Sequence, residues 1–218
     1  MTTFTTPSTA DGTRTDRLLT AGLLAGPVFG LTWLVQGLVR DGYDFTRHPV
    51  SLLALGEGGW VQIAGFCVTG ALMIGCAAGL HRTMDDGPGA RWIPRLTAVI
   101  GAGLIAAGVF TTDPGAGFPA GAPQGAPVLS WHGVLHEAGH LVVVTAWIAL
   151  CFVLRTRFAR RADRGWARAC VAAVPIVIAL VAFPHLDSFP IRIVVASVLQ
   201  LGFVGLAARR LGRPTPTR

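Results

Sequence analysis

Six long apolar runs alternate with short polar segments along this chain. Leu18 to Val39 lies uncharged between Arg17 and Arg40, and about 20 apolar residues suffice for a helix to cross a bilayer. Comparable runs occupy residues 60–80, 96–112, 132–154, 169–183 and 191–208. The pattern predicts an all-α integral membrane bundle of six helices over residues 17–211, with polar tails at 1–16 and 212–218. The first tail is rich in Thr, Ser, Gly and Asp, lacks the apolar core of a signal peptide, and reads as disordered. In the first span Gly22, Gly26 and Gly30 repeat the spacing of small residues that lets helices approach closely in lipid.

The polar interruptions differ in kind. Pro49 suits the first turn of a helix, and the apolar residues after it are too few to span, so a short interfacial helix is expected there. Residues 113–130 are a Gly/Pro/Ala segment, expected to form a lid or a plain surface loop. Pro175 is expected to kink the fifth span, and residues 184–190 to form a tight turn.

Composition agrees with the pattern. Of 218 residues 52% are hydrophobic and 13% charged, against about 25% charged in soluble domains. All 18 basic residues are arginine, and fifteen of them fall in the two tails and the second and fourth connectors. Positive charge concentrates on the cytoplasmic side, so both termini are expected in the cytoplasm and the protein in the inner (plasma) membrane. That distribution also accounts for the net charge of +7 through topology and anionic lipid, with no face gathered for nucleic acid. Trp60, Trp92, Trp131 and Trp166 sit at span ends, where an aromatic belt belongs. The four cysteines lie within apolar spans and read as small packing residues.

The chemistry concentrates on the opposite face. His132, His136 and His140 recur every fourth residue at the start of the fourth span, with Glu137 beside them. On a helix that spacing makes one stripe, and ionisable groups inside a membrane span mark a functional site by default. The same face receives Arg40, Asp44, His48 and Ser51 from the first loop and Asp113 from the end of the third span. The last turn adds His185, Asp187 and Arg192. Three chemistries fit. His132 and His136 with His48 or Asp113 present donors for a divalent metal, zinc above all, with Glu137 or Asp113 as base. Glu137 held protonated by desolvation is a metal-free acid, as in a cyclase. The histidine ladder is also a proton path. Against all three stands a structural role, in which these side chains hydrogen-bond neighbouring helices.

Several segments carry a resemblance. Residues 40–44 (Arg-Asp-Gly-Tyr-Asp), 48–56 (His-Pro-Val-Ser-Leu-Leu-Ala-Leu-Gly) and 59–62 (Gly-Trp-Val-Gln) resemble the opening of the domain-of-unknown-function 998 membrane proteins. Residues 110–114, 117–119 and 131–136 resemble its second signature. The resemblance implies six spans and a bacterial, actinobacterial-type protein, and brings no activity with it. The residue types Ser51, His48, Asp113, His132 and His136 are also similar to the set that alkaline ceramidase-like membrane hydrolases place around zinc. That analogy makes Ser51 a catalytic candidate beside Glu137 and Asp113, although the order and helix placement differ. The leading expectation is a metal-assisted membrane enzyme acting on a lipid or isoprenoid-like substrate. The competing class is non-enzymatic, a small transporter or an accessory subunit.

Overall fold

The computed structural model describes residues 9–182 and 188–213. Among these residues it is all-α: α1 (Thr9–Val39), α2 (Gly59–Thr83), α3 (Trp92–Val109), α4 (Trp131–Arg160), α5 (Arg164–Ala182) and α6 (Phe189–Gly212), with a 3-10 turn at Val50–Ala54. All six helices are long and apolar enough to cross a membrane. Each packs on the next in chain order, and α6 returns to α1, so the bundle closes into a ring. Leu31, Val35 and Leu38 of α1 and Ile176 and Ile178 of α5 are exposed on its outside, as a surface solvated by lipid tails requires.

In lipid no hydrophobic force draws helices together, so they hold by close backbone approach. Glycine pairs supply it at three crossings. A Cβ on Gly205 of α6 would strike the Gly22 carbonyl of α1, and one on Gly26 would lie 3.1 Å from the Val198 carbonyl. Between α2 and α3, a Cβ on Gly70 or on Gly101 would come within 2.5 Å of the other's carbonyl oxygen. Gly103 and Gly139 meet similarly between α3 and α4. Helix α5 packs chiefly on α4 and α6 and is the least buried of the six.

The arginine-rich end is tied by ion pairs: Arg209 to Asp16 at 2.6 Å, Arg210 to Asp163 at 2.7 Å, and Arg157 to Asp85. These contacts explain two departures from the sequence reading. Helix α1 starts at Thr9, so the expected disordered tail is helical from there on, with Asp16 held by Arg209. The basic connector is mostly helix as well, broken only over residues 161–163. There Trp166 turns inward to stack on Phe158 at 5.4 Å, whereas Trp60, Trp92 and Trp131 stay exposed. Cys76, Cys151 and Cys170 are buried and all four thiols are free.

Candidate functional site

The third span stops at Val109, short of residue 112, where Phe110 turns extended as the helix cap. A helix end leaves carbonyls without intrahelical donors. Helix α4 provides those donors. His136 Nδ1 lies 2.8 Å from the Ala107 carbonyl and 3.0 Å from that of Phe110. His132 Nδ1 lies 2.9 Å from the Thr111 carbonyl. A ring nitrogen facing carbonyl oxygens carries the hydrogen, so Nδ1 donates and Nε2 is left as each ring's uncommitted nitrogen.

Asp113 organises the same junction from the other side. Its Oδ2 accepts the Ser130 amide at 2.7 Å and its Oδ1 accepts the Ser130 hydroxyl at 2.7 Å. Ser130 in turn caps α4, accepting the Gly133 amide at 3.2 Å. An acid at a helix N-terminus is favoured by the macrodipole. The Ser130 hydroxyl and amide hold the Asp113 carboxyl below the ordinary carboxylate range. Gly133 makes the approach possible, since a Cβ there would collide with that carboxylate. With both oxygens engaged in fixing where α4 begins, Asp113 is a positioning residue of this site.

Above the junction, residues 114–129 fold back over the ring and are pinned to the first loop. His48 Nδ1 accepts the Asp44 amide at 2.9 Å, so its Nε2–H donates to the Ala116 carbonyl at 3.1 Å. Arg47 donates to the Gln124 side chain at 2.8 Å. Phe118 is buried under Tyr43 and His48, at ring distances of 5.5 and 5.3 Å. The Tyr43 hydroxyl accepts from the Trp33 indole and donates to the His48 carbonyl. Burial pushes that phenol up to about 12, so it remains a donor. Arg40 closes the 3-10 turn by donating to the Leu53 and Leu55 carbonyls at 3.1 and 2.6 Å, with Phe118 beneath it. Asp44 accepts from the Thr46 hydroxyl and amide, which lower its pKa. The Gly/Pro segment is therefore a folded lid, and Arg40, Asp44 and His48 are its fastenings.

Beneath the lid lies a cavity of about 830 Å³ enclosed by the ring. Ligand pockets commonly measure about 300–1,000 Å³. Its walls are mostly apolar, with Phe29, Phe66, Ile100, Leu104 and Val143 among them. Helix α4 contributes His136, His140, Val143 and Trp147, at the spacing of one helical face, with Glu137 at the exposed rim. Ser51 reaches it from the 3-10 turn, and Ser197 and Gln200 from α6.

The structure thus divides the expected site. It brings His136, Glu137, His140, Asp113 and Ser51 to one cavity and leaves His132 at its edge, bonded to the Thr111 carbonyl just past α3. His48, a member of the metal set the spacing suggested, engages both its ring nitrogens within the lid. Among the described residues no group of three or more His, Cys, Asp and Glu side chains is placed to hold a metal ion. Arg192 faces the α5–α6 junction, donating to the Ser188 hydroxyl and the Leu180 carbonyl. His185 and Asp187 lie outside the described residues. Sequence reasoning missed Gln200 and Trp147 at the cavity's far end, though a lone amide and a mid-span tryptophan were both visible signals.

No curated protein and no solved structure matches the chain. The family model described as "Protein of unknown function (DUF998)" matches residues 23–211, nearly the whole bundle with its lid, and the chain belongs to that family.

Proposed function

We propose that this protein takes an amphiphile, a lipid or isoprenoid-like molecule, into its central cavity and carries out metal-free acid–base chemistry on the polar head. The observation that carries the reading is the cavity itself, a space of about 830 Å³ with apolar walls and a cluster of titratable groups at one end. Glu137 and His140 stand three residues apart on α4 and make no hydrogen bond to any described residue. His136 presents Nε2 as a base because α3 fixes its Nδ1–H. A carboxyl and two imidazoles side by side at the cavity's end can exchange a proton with a bound head group. Ser51, lining the same end without a hydrogen-bond partner among the described residues, is placed to contact that head. The arginine distribution supports a reading in which this end faces the extracytoplasmic side of the plasma membrane and both termini lie in the cytoplasm.

Lipid extraction and mass spectrometry of the purified protein test the reading. The parent should carry one amphiphile per chain. Val143→Trp, which fills the cavity from α4, should lose it while keeping its helical content. Equal retention by the two proteins would place the bound lipid on the outer surface and overturn the proposal.

A further inference from the structure

The far end of the cavity is not purely apolar. Gln200 is 6% exposed and lines it. Its backbone carbonyl accepts the Trp147 indole N–H at 3.2 Å, fixing the residue at the depth of Trp147. Its side-chain amide has no hydrogen-bond partner among the described residues. The amide is open to the cavity, and a hydrocarbon ligand that covers it without a partner meets a cost, so a ligand that answers it is favoured there. Leu104, Val143 and Leu201 in the surrounding wall offer none, and Ser197, one turn away on α6, commits its hydroxyl hydrogen to the Ile193 carbonyl.

Trp147 lies eleven residues below His136 on the same face of α4, about 16 Å along the helix axis. The cavity therefore has hydrogen-bonding groups at both ends and mostly apolar walls between them. The two ends differ in charge. Its ionisable lining groups, Asp113, His136, Glu137 and His140, all lie toward the lid, and the floor carries neutral groups, the Gln200 amide, the Trp147 indole and, one turn away on α6, the Ser197 hydroxyl. An amide both donates and accepts, so it serves a hydroxyl or a carbonyl oxygen equally well, whereas a charged terminus would sit there without a counter-ion.

Building on the amphiphile reading, we infer that the ligand is a bifunctional chain: a polar head under the lid, about thirteen bonds of hydrocarbon, and a neutral oxygen at the inner end held by Gln200. Simple fatty acyl chains and unfunctionalised isoprenoids lack that second oxygen and leave the amide unanswered.

Titration calorimetry on the full chain in phosphatidylcholine nanodiscs, with tetradecanol and with tetradecanediol bearing a hydroxyl at each end, tests this directly. The diol should bind about tenfold more tightly than the alcohol, the worth of one recovered buried hydrogen bond. In Gln200→Leu the diol should lose that advantage and the alcohol should bind at least as well as in the parent. Gln200→Met serves as a second apolar replacement should the leucine variant fail to fold. Equal affinities for diol and alcohol in the parent would overturn the bifunctional ligand while leaving a cavity that binds amphiphiles. A diol preference that persists in the Gln200 variants would likewise overturn it. Binding of neither compound would count against the cavity reading itself.

Discussion

Gly133 has no side chain where Asp113 comes closest to α4, and the two residues depend on each other. Gly133→Ala should lower detergent thermal stability by about 1–3 kcal/mol, the cost of forcing an extra methyl into a packed junction. Asp113→Asn should cost about 1 kcal/mol, since an amide can accept from only one of the two Ser130 donors. Proton linkage gives a separate test. Folding lowers the Asp113 pKa, so its contribution is complete above the ordinary carboxylate range and is lost as pH falls through its own lower value. Thermal melts below about pH 5 should therefore show an acid-dependent loss of stability that is smaller in Asp113→Asn than in the parent. An identical acid profile in the two proteins would mean that the carboxylate does not hold Ser130.

At the scale of elements, α4 is the helix on which most of the site depends, because its histidines complete the end of α3. His136→Ala leaves the Ala107 and Phe110 carbonyls without that donor and should cost about 0.6 to 1.7 kcal/mol, the range of interhelical hydrogen bonds in membranes. Gly26→Leu should do more damage, since Val198 and Gly202 of α6 occupy the space. Helix α2 offers the opposite case. Gln62 is fully buried and neither its Nε2 nor its Oε1 has a partner among the described residues. Gln62→Leu should raise stability by about 1 kcal/mol, and a lower melting temperature would reveal a partner such as a buried water. These helices were legible in the sequence because each span is bounded by charge or proline and the glycine repeat of α1 is periodic. The histidine stripe was legible too, but the roles of its members were not. Spacing places His132, His136 and His140 on one face; it does not show that α3 ends against two of them and frees the third. Nor does a Gly/Pro-rich stretch reveal its fold, which here rests on His48 and Arg47, both remote from it in the chain, and on the burial of its own Phe118.

At the scale of the whole molecule, glycine-mediated crossings draw α1, α2, α3, α4 and α6 together, while α5 closes the ring with the least buried surface. That arrangement keeps a cavity open in the middle of a bundle whose outside is apolar. Its orientation is testable on the lid: a cysteine at exposed Gly121 should react with an impermeant thiol reagent added outside intact cells. Reaction only after the membrane is opened would invert the bundle and place the lid in the cytoplasm. The central claim is that the cavity holds an elongated amphiphile, and a density map of the protein in lipid nanodiscs tests it most directly. The account predicts continuous density between the His136–His140 level and Gln200, with its bulkier end under the lid. A cavity that is collapsed, or that contains only isolated water-sized peaks, would contradict it.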